Sequence, residues 1–318
     1  MLKWLIIFLL IIILLLILFY NIVNHNEDKI LFFPSKKCVW TPKCDYREVF
    51  INVNDCKDIV YNEKHKKKDC EYICGWHFNN CKYNKTVVHY HGNSGSIANR
   101  GYIVDICRKF KFNLFLFDYR GYGKSCSYPH KTFLREDGEL AYKYIRDVAN
   151  VPSKDIILWS ESLGCISAAF TASKHKCGGL IILCGFSSLD DILRYKFKGG
   201  SRAAATFLTS ILACKMDMIP VKEYLAKVNC PVVIIHSRED ELIPFSCSWI
   251  NYHSITHKNK LHIKIKGGHA SPDIKSCQLK EIFEFCNLDF DNISSDVNVS
   301  EILENLKRVA AKYHNFID

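Results

Sequence analysis

The sequence predicts an α/β fold with a mostly parallel central sheet and helices on both faces. Three observations predict it. Short apolar runs such as Ile156-Ile157-Leu158-Trp159, Leu180-Ile181-Ile182-Leu183 and Val232-Val233-Ile234-Ile235 have the length and composition of strands buried on both sides. Helix-compatible stretches separate them, as in βα repeats. The residues able to do chemistry fall just after these runs, at the strand ends where open α/β sheets place their ligands.

Size and charge bound the rest. Of 318 residues, 48% are hydrophobic, enough for one large α/β domain or two small ones. The formal charge of +10 is scattered and peaks only in His65-Lys66-Lys67-Lys68, which reads as a solvated hairpin loop, so nucleic acid is not an expected partner. Trp4 to Val23 is almost uninterrupted Leu, Ile and Phe, the length of about 20 residues that crosses a bilayer as a helix. No small-residue cleavage site follows it, so the expectation is an uncleaved single-pass anchor over residues 1–24, a linker over 25–47 and the α/β domain over 48–318. Lysine counting around the span favours a cytosolic domain. Three possible glycosylation acceptors, at Asn84, Asn292 and Asn298, and six cysteines between Cys38 and Cys81 point outward, and tip the balance slightly to a lumenal or extracellular domain.

Taken in order, Ile30-Leu31-Phe32-Phe33-Pro34 should tuck against the domain. Glu48 to Val53 alternates as a half-buried strand, and Cys74 to Phe78 reads as its partner. The cysteines here lack the paired short spacing of a zinc site, and no metal is expected. Thr86 to His91 is a buried strand running into Gly92-Asn93-Ser94-Gly95, a loop able to turn a backbone N–H toward an oxyanion. Ser96 to Arg108 reads as a helix and Asn113 to Phe117 as a strand. Asp118-Tyr119-Arg120-Gly121-Tyr122-Gly123-Lys124-Ser125 ends like a phosphate-binding loop but has aspartate where that motif needs glycine. It is therefore read as a structured loop held by Asp118 and Arg120.

Leu134 to Val148 is helical, and Asp155 to Trp159 leads into Ser160-Glu161-Ser162-Leu163-Gly164. This is a strand, a sharp turn and a helix, with Ser162 at the turn. Such a turn lifts a serine hydroxyl clear of the sheet, and the crowded positions two before and two after it normally hold glycine. Gly164 satisfies the second, Ser160 departs at the first, and the alternative register with Ser160 as nucleophile has no glycine at all. Between the strands at Leu180 and Pro231 lie about 45 residues without a strand pattern, longer than a simple loop. They are expected to be a short helical cap over about 187–229, with an apolar face on Ala203 to Cys214. The strand ending at His236 is followed by Glu239-Asp240-Glu241, three carboxylates competing for one role. The last strand, Leu261 to Ile265, is followed by Gly267-Gly268-His269.

Serine, then acid, then histidine is the chain order of α/β-hydrolases and not of chymotrypsin-like or subtilisin-like proteases. From about Ile30 to Cys286 the sequence resembles the membrane-anchored α/β-hydrolase domain-containing proteins of the 13 and 17 type. The likeness rests on His91-Gly92-Asn93, the Asp118–Ser125 segment, Ser162-Leu163-Gly164, Asp240-Glu241-Leu242-Ile243-Pro244 and Gly268-His269. It implies Asp240 as the triad acid among the three carboxylates. It also implies an ester or thioester hydrolase, with fatty-acyl substrates plausible and an anchor more like the number-13 type. The catalytic set is then Ser162, Asp240 and His269, with Asn93 and Leu163 N–H as the oxyanion hole. The chemistry calls for no cofactor. A peptidase on the same scaffold and a non-catalytic membrane-tethered binding protein remain the alternatives. Oligomeric state is not legible.

Overall fold

Eight strands form the central sheet: β1 (Arg47–Asn52), β2 (Tyr72–Phe78), β3 (Thr86–Tyr90), β4 (Asn113–Asp118), β5 (Ile156–Glu161), β6 (Gly179–Leu183), β7 (Val232–Ser237) and β8 (Lys260–Ile265). The computed structural model describes Trp4 and residues 32–57, 71–80, 82–196 and 220–286. The spatial order is β8-β7-β6-β5-β3-β4-β2-β1. Every neighbouring pair from β8 to β4 is parallel, while β2 runs antiparallel to both β4 and β1. The expected mostly parallel sheet is therefore present, with one reversed strand.

The period of two along each strand sorts the core into two layers. Val88, Tyr90, Leu158, Leu180, Ile182 and Ile234 face one side. That side is covered by α2 (Lys131–Lys143), α3 (Cys165–Lys174), α5 (Val221–Leu225) and α6 (Ser246–Ser254), through residues such as Leu134, Ile166, Val221 and Cys247. Val87, Ile157, Trp159, Ile181, Leu183 and Val233 face the other side, covered by α1 (Gly101–Lys109) and α7 (Ser276–Phe285). Strands buried on both faces must be apolar at successive positions, which is why these segments read as continuous runs. A further helix among the described residues, α4, spans Leu189–Lys196.

Several boundaries differ from expectation. The helix expected from Ser96 begins as a 3-10 turn at Ile97–Asn99, capped by Ser96, before α1 starts at Gly101. The helix expected to reach Val148 loosens from α2 into a wider π turn over Tyr144–Val148. Residues 32–46, expected as linker, belong to the domain: Phe32 is buried in the core, Trp40 and Tyr46 pack on Trp76, and Phe33–Pro34 pairs in parallel with Ser94–Gly95. The physical reason is aromatic area, which leaves water by folding onto Trp76 of β2. Beyond Trp4, the expected membrane span of residues 1–24 lies outside the described residues, as do His65–Lys68, Ala203–Cys214, Asn292 and Asn298. Among the described residues no helix is long and apolar enough to cross a membrane.

Candidate active site

β5 ends at Glu161 and the chain turns at once through a 3-10 turn, Ser162–Gly164, into α3. Ser162 carries the strain of this reversal, with φ at 48°. That left-handed conformation is uncommon for a residue with a side chain and clusters at functional sites. Gly164 is required by contact, since a Cβ there would come within 2.1 Å of Tyr90 O on β3. Position 160 needs no glycine. Ser160 is still in the strand, opposite Tyr90 on β3, and its hydroxyl donates to Ile181 O on β6 at 3.0 Å. The departure from the expected pattern is accommodated inside the sheet, not at the turn.

His269 comes from the loop after β8. Its Nε2 lies 2.9 Å from Ser162 Oγ, and its Nδ1 lies 2.7 Å from Asp240 Oδ2 on the loop after β7. With the proton on Nδ1, the ring donates to the carboxylate and its other nitrogen is left to accept from the serine hydroxyl. Asp240 is fixed in turn. Leu242 N–H and Ile243 N–H donate to its Oδ1 at 3.0 and 2.7 Å, and His236 Nε2 stands 3.4 Å from Oδ2. Burial alone would raise this carboxyl, but the contacts with His236, His269 and Ile243 N–H outweigh it and hold the group well below the usual carboxylate range.

The loop after β3 lies beside the turn: Gly92 approaches so closely that a Cβ on it would touch Ser162 Cβ at 3.5 Å. Asn93 follows directly, its side-chain oxygen accepting from Tyr122 Oη at 2.9 Å and Phe33 N–H at 3.2 Å. Leu163 N–H belongs to the first turn after the strand, where helical N–H groups have no partner within their own turn. The structure thus gathers Ser162, Leu163, Asp240, His269 and the Gly92-Asn93 loop at the carboxyl ends of β3, β5, β7 and β8.

The segment after β4 is a brace for the Asn93 loop. Asp118 Oδ1 accepts from Ile97 N–H at 2.8 Å, and Tyr119 Oη donates to His91 O at 3.3 Å. Ser125 Oγ donates to Asp118 O at 2.6 Å. Gly123, with φ at 46°, is pressed onto the Asp118 carboxylate, where a Cβ would come within 1.9 Å of Oδ2. Arg120 anchors the far side by donating from Nε to Asp137 Oδ1 at 2.7 Å and from its terminal nitrogens to Glu71 and Glu136. Sequence reading found Asp118 and Arg120 as shape-holders but missed the support that Tyr119 and Tyr122 give to the Asn93 loop. Their phenol groups carry no sequence signal of such a partner.

Behind the turn, Glu161 lies 3.2 Å from His89 Nε2 in the sheet interior. Burial raises this carboxyl, but His89 and Arg100 outweigh it and lower it overall. Among the described residues, one trio of potential metal ligands lies close together: Cys184, Asp240 and His269. Two of its members already share a proton along the Asp240–His269 contact, and burial raises the Cys184 thiol, which keeps it a thiol.

A family described as alpha/beta hydrolase of unknown function (DUF1057) matches residues 60–198, which include β3, the Asn93 loop and the Ser162 turn. The chain has the α/β-hydrolase fold. The chain is 29% identical to an uncharacterized protein of Acanthamoeba polyphaga mimivirus over 61% of its own length and 70% of that protein's. It is 32% identical to alpha/beta hydrolase domain-containing protein 17C of Xenopus tropicalis, over 51% of its own length and 48% of that protein's. The match thus spans about half the length of the type 17C relatives. Among solved structures, an esterase of Pyrococcus furiosus superposes with a TM-score of 0.57 at 20% identity, covering 88% of this chain and 98% of that one. That likeness is one of fold.

Proposed function

We propose that this α/β-hydrolase is a serine hydrolase cleaving ester or thioester bonds, with Ser162, His269 and Asp240 as its triad. One observation carries the reading: a serine held at a left-handed φ within 2.9 Å of an imidazole whose other nitrogen lies 2.7 Å from a buried carboxylate. His269 takes the hydroxyl proton as Ser162 attacks an acyl carbonyl, and Asp240 orients the ring and stabilises the imidazolium. Asn93 N–H and Leu163 N–H hold the oxyanion. The leaving group receives the proton from His269, and water then hydrolyses the acyl-enzyme with His269 again as base.

The resemblance carried by the sequence motifs implies fatty-acyl substrates, and the apolar run from Trp4 to Val23 supports an N-terminal membrane anchor. Because the match covers about half of the type 17C relatives, substrate class and anchoring are part of the proposal. A fluorophosphonate probe is expected to label the full-length protein in detergent, Ser160→Ala to label equally, and Ser162→Ala not at all. Labelling that survives Ser162→Ala would overturn the assignment. Parallel turnover of p-nitrophenyl esters, acyl thioesters and aminoacyl amides separates the esterase reading from a peptidase.

A further inference from the structure

Asp240 is flanked by two more carboxylates, and all three reach the same loop. Glu239 Oε2 accepts from Gly267 N–H at 2.9 Å. Asp240 Oδ2 accepts from the His269 ring at 2.7 Å, and Glu241 Oε2 accepts from His269 N–H at 3.0 Å. An extended strand would send three consecutive side chains alternately to opposite faces. Here the loop after β7 turns so that none points away. The receiving loop is shaped for the contact. Gly267 has φ at 90°, a conformation that favours glycine, and a Cβ on Gly268 would come within 3.1 Å of Glu241 Oε2, a tight contact that the carboxylate would have to yield to by a few tenths of an ångström. Ser237 Oγ donates to Gly267 O and closes the same junction from the end of β7.

The consequence concerns the histidine. His269 sits on a loop beyond the edge strand β8, and its ring must stay in line with Ser162 and Asp240 to within a fraction of an ångström for proton transfer. The ring contacts with Ser162 and Asp240 do not by themselves fix the backbone that carries the ring, and the loop's own bonds, Ser271 N–H to Gly268 O at 3.2 Å and Asp273 N–H to Lys266 O at 2.8 Å, engage carbonyls. The two glutamate acceptors, on Gly267 N–H and His269 N–H, hold the N–H side. We propose that Glu241, together with Glu239, is a positioning residue for the general base, acting as an acceptor that fixes the His269 backbone and not as a charge. The proposal rests on the triad reading of Ser162, Asp240 and His269.

The distinction between acceptor and charge makes it testable, because glutamine keeps the acceptor oxygen and loses the charge. With p-nitrophenyl butyrate and the full-length protein, Glu241→Ala is expected to lower kcat by about 3- to 30-fold with KM within about twofold and the thermal midpoint unchanged. Glu241→Gln restores kcat to within about twofold of the parent. Glu239→Ala and Glu239→Gln follow the same pattern with a smaller loss, and the two alanine changes together lose more than either. A second readout needs no turnover: the far-downfield proton resonance of the His269 Nδ1–H bridge to Asp240 persists in the glutamine variants and weakens in the alanine variants.

Glutamine variants as impaired as alanine would overturn the proposal, as would alanine variants with parental kcat and an undisturbed resonance. So would a loss of activity that merely follows a fall in the thermal midpoint. If the parent protein shows no Ser162-dependent turnover, the serine-hydrolase reading fails, and the resonance still decides whether the two glutamates hold the ring in place.

Discussion

Ser162 and its two neighbours at distance two show how a single side chain is tolerated or required. A residue held at a left-handed φ costs on the order of 1–3 kcal/mol, which the surrounding β3 and β5 contacts must outweigh. Gly164 meets backbone, which cannot move aside, whereas Ser160 finds a partner in Ile181 O. Gly164→Ala is therefore expected to fold poorly or to lose probe labelling, because Tyr90 O must be pushed away from the turn. Ser160→Gly is expected to keep labelling and to lose about 1 kcal/mol of stability in urea denaturation, from one hydrogen bond and added backbone freedom. Equal behaviour of the two variants would refute this division of roles. The serine at position 160 was visible in the sequence as a departure. How the sheet accommodates it was not, because the acceptor that receives its hydroxyl lies 21 residues away on another strand.

Among elements, the loop from Asp118 to Ser125 shows most clearly that a segment's contacts decide its meaning. Its Gly-Lys-Ser ending looks like a phosphate loop, yet Gly123 is used to admit the Asp118 carboxylate and Ser125 to receive Cys74 N–H and bind Asp118 O. Arg120 and Asp137 form a pair with side chains only 3% and 1% exposed. Removing one member leaves the other buried without its partner, the costly case for a buried ion pair. Arg120→Ala is expected to destabilise the protein by about 3–5 kcal/mol in chemical denaturation and to lower turnover through the Asn93 loop. A change below about 1 kcal/mol would show that the pair does not hold the loop. Sequence reading identified Arg120 as a shape-holder. It could not name Asp137, because the two are joined only when α2 packs across the sheet.

For the whole molecule, pH stability follows from histidines buried in the neutral form. His77 on β2 packs edge-on against Phe115 and Tyr144, and burial, with repulsion from Arg47, pushes its imidazole down to about 4. Its ordinary value is about 6.5. A depressed folded pKa means the unfolded chain binds the proton first, so this contribution is present above about pH 6.5 and is lost as pH falls toward 4. His91, fully buried beside Tyr119 and Tyr122, is lowered for the same reason, burial first and Arg100 second. Unfolding free energy is expected to fall between pH 7 and pH 5, with about 2 kcal/mol of the fall due to His77. His77→Phe should flatten that part of the curve, and a curve of unchanged slope would show that His77 does not contribute.

What the sequence determined by itself is the set of strands, their layering and the chain order of serine, acid and histidine. These are local properties: apolar runs, glycine placement and residue type are all written within a few positions. The resemblance in the sequence pointed to Asp240 among three adjacent carboxylates, but only the tertiary structure decided what the other two hold and why position 160 can be serine. Each of those depends on pairs brought together across 20 to 30 residues or more by the parallel sheet. Distances across a closed sheet follow from packing, and packing has no local signature.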